Sequence, residues 1–159
     1  MPQSADQVDV DFPFASDELL YRRAFPGEIN SMGELVPTQL NAFSFQKEVE
    51  GAPSFNRGKY STAQDVIHQD CAGKADVSGC SVFQLEVANI PGPLKSGDGK
   101  NFSFYPVHKP MPSCGAHSVL ASCLEGDSER TYAKPSYAVI KDLRAKICGV
   151  LKPVVLKPV

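Results

Sequence analysis

The chain has 159 residues, 42% hydrophobic and 21% charged, a profile that fits one globular domain with a proper core and leaves too little length for two. No apolar run approaches the ~20 residues that a membrane-crossing helix needs. The N-terminus, MPQSADQVDVDF, is polar and acidic with no basic or apolar leader, so no export signal is read and a cytoplasmic location is expected.

Net charge is only −2, yet it is polarised. Residues 1–50 carry nine acids against three bases, whereas residues 130–159 carry one acid, Asp142, against seven bases. Such a run is usually a solvated face, and otherwise marks a surface for an acidic partner. The cysteines, at 71, 80, 114, 123 and 148, are odd in number and form no CxxC pair. They are expected to be reduced thiols, most of them small core residues.

Residues 1–16 read as an extended arm. Asp17–Phe25, DELLYRRAF, alternates as a strand with an arginine on each face, which places it near a sheet edge or a site. Residues 26–37 read as loop. Asn41–Lys47 alternates with Phe43 and Phe45 inward. Residues 51–59, GAPSFNRGK, read as loop again. Ser61-Thr62-Ala63-Gln64 has the form of a capping box, with Ser61 as N-cap of a short helix reaching about Gln69. Gly79–Asn89 is the clearest strand, with Phe83, Leu85 and Val87 inward. A Pro/Gly loop at 90–99 precedes strands at Asn101–Val107 and His117–Cys123, and a polar connection spans 125–134. The last element is an amphipathic helix capped by Ser136 and stopped by Gly149, with Tyr137, Ile140, Leu143 or Arg144, Ile147 and Leu151 on one stripe. Two copies of Leu-Lys-Pro-Val close the sequence and read as a basic tail. The whole is an α+β domain over 17–150, with a mainly antiparallel sheet of about five short strands and two helices, an arm at 1–16 and a tail at 151–159.

Three constellations carry chemistry. The segment Asn101–Cys123 concentrates His108, Cys114, His117 and Cys123 around three prolines that stiffen the crossing between two strands. Cys114-x-x-His117, with Cys123 or His108 as a further ligand, offers a zinc set. The same histidines, with Tyr105, Lys109 and Ser118 nearby, offer a metal-free acid–base pair for cleavage or transfer at a phosphate ester. The bland alternative is buried imidazole and inert thiol, each satisfied by its neighbours.

The second constellation is Arg22 or Arg23 in LYRR, Ser61-Thr62 in YSTA and Gln84-x-Glu86 in FQLE. In that order these loosely resemble the Arg, Ser-Thr and Gln-x-Glu landmarks of ADP-ribosyltransferases. The resemblance implies an NAD site in which the arginine holds the pyrophosphate, Ser61 orders its partners and Glu86 stabilises an oxocarbenium-like transition state. The third is the loop Pro53–Tyr60, where Arg57 and Lys59 interleave with Phe55 and Tyr60, a composition suited to a phosphate or nucleic-acid contact.

No nucleophile elbow, phosphate-binding glycine loop or paired-carboxylate motif is present. The sequence favours a small cytosolic binding or assembly subunit with a protein partner. Nucleic acid is a further option through the basic C-terminal face (Lys141, Arg144), no membrane is expected and no cofactor is required. The alternative is a small enzyme or toxin-like effector built on His108 and His117, or on Arg22, Ser61 and Glu86.

Overall fold

Alternation along Leu19–Ala24 (β1) sends Leu20, Arg22 and Ala24 into one face of a sheet and Leu19, Tyr21 and Arg23 to the other. In a computed structural model, residues 14–39, 54–68, 80–112 and 115–155 are described. They form six further strands: β2 (Ser54–Arg57), β3 (Ser81–Glu86), β4 (Leu94–Lys95), β5 (Asn101–His108), β6 (His117–Leu124) and β7 (Lys152–Pro153). The order across the sheet is β4-β5-β6-β2-β1-β3-β7, and every neighbouring pair is antiparallel. The mixed helix and antiparallel-sheet architecture is as the sequence predicts, but with seven strands among the described residues where five were expected. The expected strand at Asn41–Lys47 lies outside the described residues.

One strand that sequence reading assigns to loop, β2, joins the two halves of the sheet. It pairs with β1 through Leu20↔Arg57 and Tyr21↔Asn56, and with β6 through Ser54↔Val119, Phe55↔Ser118 and Asn56↔His117. β1 is therefore an interior strand rather than an edge. Directly after β2 the chain crosses β1 so closely that a Cβ on Gly58 would lie 2.7 Å from the Leu19 carbonyl oxygen, which only glycine accommodates.

Two helices cover the sheet. Tyr137–Val150 (α2) supplies Val139, Ile140, Leu143 and Ile147, which pack with Leu20, Phe55, Phe83, Leu85, Phe104 and Leu120 into the main core. Their spacing of three to four residues makes one apolar stripe, each side chain contributing about 1.5–3 kcal/mol on full burial. Tyr137, expected on that stripe, is 73% exposed, and Val139 takes the inward place. Ser136 Oγ accepts from the Val139 N–H as the N-cap. Gly149 does not stop the helix, which runs on to Val150 with Leu151 as its C-cap. Leu151 stays buried, and the next two residues pair with β3, so the first Leu-Lys-Pro-Val copy is sheet and not free tail.

The shorter helix, α1 (Ala63–His68), packs on the opposite face, where Val66 meets Val82. Its capping box lies one residue beyond the expected position. Thr62 Oγ1 accepts from the Asp65 N–H, and Asp65 accepts from the Thr62 N–H, while the Ser61 hydroxyl donates to the Thr62 carbonyl. Phe14 already packs against the core and the Ala88 N–H donates to the Ser16 carbonyl, so the described end of the N-terminal arm is docked. Val87, expected as an inward strand residue, opens a 3₁₀ turn (Val87–Asn89) and is half-buried.

Phe83 and Leu85 are buried as their alternation predicts. Replacing Phe83 by Ala should lower the unfolding free energy by about 3–5 kcal/mol, the usual loss for a buried aromatic. Chemical denaturation followed by fluorescence checks this, and an unchanged midpoint would show that Phe83 is not in the core.

Candidate functional site

Polar chemistry gathers where β2 ends and β6 begins, and the sheet divides it between its two faces. On the α2 face lies Arg57, fully buried. Its guanidinium donates from Nε to Glu18 at 2.7 Å and from Nη2 at 2.6 Å, a two-pronged pair. The Phe14 ring lies 3.8 Å from the guanidinium carbon and the Tyr60 ring 5.3 Å. Arg57 was expected as a solvated phosphate contact, but it is an interior strut. Lys59 and Tyr60 remain exposed beside it.

His108 belongs to this face. It is 4% exposed, and its ring sits 5.5 Å from that of Tyr60. Burial pushes its pKa below the ordinary 6.5, and the positive charge of Arg57 adds to that effect. A second buried pair, Arg22 with Glu28 at 3.3 Å, lies farther along β1. Burial lowers the Arg22 pKa while Glu28 opposes the change. The Cys148 thiol is pushed up to about 11, chiefly by burial, so it is protonated and unreactive near neutrality.

His117 lies on the other face. His108 is opposite Ser118 in the β5–β6 ladder, so successive residues put His117 and His108 on opposite sides of the sheet. The acid–base pair expected from these two histidines is therefore not assembled. Nor is Ser118 part of one, because its buried hydroxyl donates to the Phe55 carbonyl. The Tyr105 hydroxyl donates to the Arg130 carbonyl at the far end of the sheet.

What His117 does have is a serine. Its Nδ1 is 2.7 Å from the Lys109 carbonyl oxygen, and its Nε2 is 3.2 Å from Ser54 Oγ. A carbonyl can only accept, so Nδ1 carries the proton, and in the neutral ring Nε2 is left to accept from the Ser54 hydroxyl. Ser54 falls in a stretch whose sequence has the marks of a loop. The alternation Ser-Phe-Asn-Arg was the one signal for a strand there, masked by Pro53 before it and Gly58 after it.

The zinc set does not assemble on these residues. His117 and Cys123 stand six residues apart in β6, about 20 Å along the strand, and Cys114 lies outside the described residues. Among the described residues, no group of three His, Cys, Asp or Glu side chains is placed to hold a metal.

The transferase-like landmarks are also separated. Glu86 is opposite Leu19, on the face away from Arg22. Arg23 shares the Glu86 face but is four residues farther along β1, about 13 Å away. Ser61 serves the turn before α1. Lys141 is exposed on α2 and Arg144 half-buried there. No protein-family model, curated protein or solved structure matches this chain. A functional reading therefore has to come from surfaces and side-chain geometry.

Two predictions follow from the α2 face. Glu18→Ala strands the buried Arg57 guanidinium and should cost about 3–5 kcal/mol, whereas Glu18→Ala combined with Arg57→Met should recover part of that loss. Denaturant midpoints of the single and double variants measure both.

The depressed His108 pKa gives a pH dependence with a definite sign. The unfolded chain takes up a proton near 6.5 while the folded chain resists it, so stability falls as pH drops below that value and levels off once folded His108 is also protonated. Thermal midpoints between neutral and mildly acid pH should show this slope, and His108→Gln should flatten it.

Proposed function

We propose that this chain is a small cytosolic binding subunit that docks an acidic segment of a protein partner on the surface made by α2 and β7. One observation supports the reading: the basic run is an ordered surface. Residues 130–155 contain six bases against the single acid Asp142. Lys134, Lys141, Lys146 and Lys152 are all exposed, and no ion pair engages any of them among the described residues. Four exposed cations without carboxylate partners among the described residues raise the local potential and attract negative charge.

A cleft of about 460 Å³ adjoins this surface, between the Pro91–Leu94 loop and the last turn of α2, with Lys146 and Val150 on its helix side. Its lining suits an apolar side chain projecting from the same acidic segment. The overall pI near 5.9 argues for a protein partner over nucleic acid, whose binders are basic as whole domains. Free thiols at Cys123 and Cys148 are consistent with a reducing compartment.

An acidic probe peptide of alternating Glu and Leu tests the reading. The wild-type chain should bind it with an affinity that falls as salt rises. Lys141→Glu combined with Lys146→Glu should weaken binding by roughly tenfold, while Lys59→Glu, in the turn that leads to α1 on the opposite face, should not. Equal binding by all three proteins would overturn the proposal, and tighter binding of duplex DNA would replace the protein partner with nucleic acid.

A further inference from the structure

We propose that Ser54 is a nucleophile activated by His117, and that this face of the sheet accepts acyl groups from carboxylic esters. The site stands apart from the α2 surface and does not depend on it. Three features support the assignment. Ser54 Oγ lies 3.2 Å from His117 Nε2, within reach of direct proton transfer, and Ser54 is exposed so that a substrate can approach. The ring is fixed in the tautomer a general base requires, because the Lys109 carbonyl takes the Nδ1 proton at 2.7 Å. That carbonyl is itself positioned by the ladder, since the Lys109 N–H donates to the His117 carbonyl at 3.0 Å.

The third feature is the rigidity of the serine. Ser54 is paired with Val119 in the β2–β6 ladder, and Arg22 Nη1 donates to its carbonyl oxygen at 3.3 Å from the opposite face. The nucleophile and the base thus sit on neighbouring strands of one sheet, a rigid support of the kind that catalytic geometry needs. A backbone carbonyl stabilises the imidazolium less than a carboxylate would, which suits esters with a good leaving group.

Surroundings select the substrate class. Ser54 and the half-buried Val107 share a face two strands apart, with the buried Val119 between them, so Val107 offers apolar surface for the hydrocarbon part of an acyl group. The two buried arginines of β1 and β2 belong to the opposite face and each carries a carboxylate. A phosphoryl group would need cations that are not already paired, whereas a neutral ester does not.

The chemistry balances without a further reactant. Ser54 Oγ adds to the ester carbonyl carbon as its proton passes to His117 Nε2. The adduct breaks at the bond to the leaving oxygen, which takes that proton and departs as the alcohol. Water then adds to the acyl–Ser54 ester, giving a proton to Nε2. The adduct breaks at the carbon–Oγ bond, the proton returns to Oγ and the carboxylic acid leaves. Ester and water become acid and alcohol.

The experiment uses the full chain with p-nitrophenyl acetate, reading nitrophenol release together with intact mass and peptide mapping. One acetyl group per chain, located on Ser54, is the expected result. Ser54→Ala and His117→Gln should each slow acylation by at least about a hundredfold. The glutamine variant retains a donor for the Lys109 carbonyl, and circular dichroism verifies that it folds. Added imidazole should restore part of the rate in His117→Ala, which a purely structural role would not allow. Acetylation mapped to other residues, or equal labelling of Ser54 in His117→Gln, would each overturn the assignment.

Discussion

The sheet holds together through a charge buried at its centre. β2 has only four residues, yet it is the sole link among the described strands between the β4-β5-β6 half and the β1-β3-β7 half. Four residues supply few ladder hydrogen bonds, and three of them, Ser54, Asn56 and Arg57, are polar. The Arg57–Glu18 pair converts that weakness into a clamp, because Glu18 lies just ahead of β1 and the guanidinium it holds projects from β2. Phe14 closes over the ion pair and excludes water, which strengthens the attraction and raises the penalty for losing either partner. The closeness of β1 to Gly58, the depressed pKa of His108 and the presentation of Ser54 all depend on β2 being held at this spot.

The two faces of the sheet have different electrostatic characters as a consequence. On the α2 face every buried cation has an anion, and the neutral imidazole of His108 sits among them, so the chemistry there is structural. On the opposite face a hydrogen-bonded relay runs from a backbone carbonyl to an imidazole to a hydroxyl. A group spent on folding and a group kept for reaction can thus be neighbours in sequence, as His117 and Ser118 are, and differ only in which way the strand pleat turns them.

Much of this architecture could be read in the residues. β1, β3, β5 and β6 follow from alternation, and α2 follows from its apolar spacing and Ser136. β2 was illegible because its signature is that of a loop: proline before it, glycine after it, and an asparagine and an arginine within. Arg57 is acceptable inside because a partner far away in sequence meets it, and local pattern carries no record of Glu18 being 39 positions from Arg57. The candidate site shared that fate. His117 stood out by its chemistry, but its partner Ser54 lies 63 residues away on the strand that looked like loop. The helix ends erred more simply, since Ser61 and Gly149 are plausible caps in composition and lose to Thr62 and Leu151 on geometry.

At both margins of the described sheet the terminal strand is two residues long and has a proline and a lysine at hand: Pro93 before Leu94-Lys95 on one side, Lys152-Pro153 on the other. A proline offers no amide hydrogen and a lysine resists desolvation, so neither margin presents a template on which another chain could add. A domain whose interior strands are rich in phenylalanine and valine is thereby given self-limiting borders. A single antiparallel sheet of this kind would otherwise be prone to grow sideways into fibrils, and here a four-residue motif that resembles a trailing tail acts as the hem.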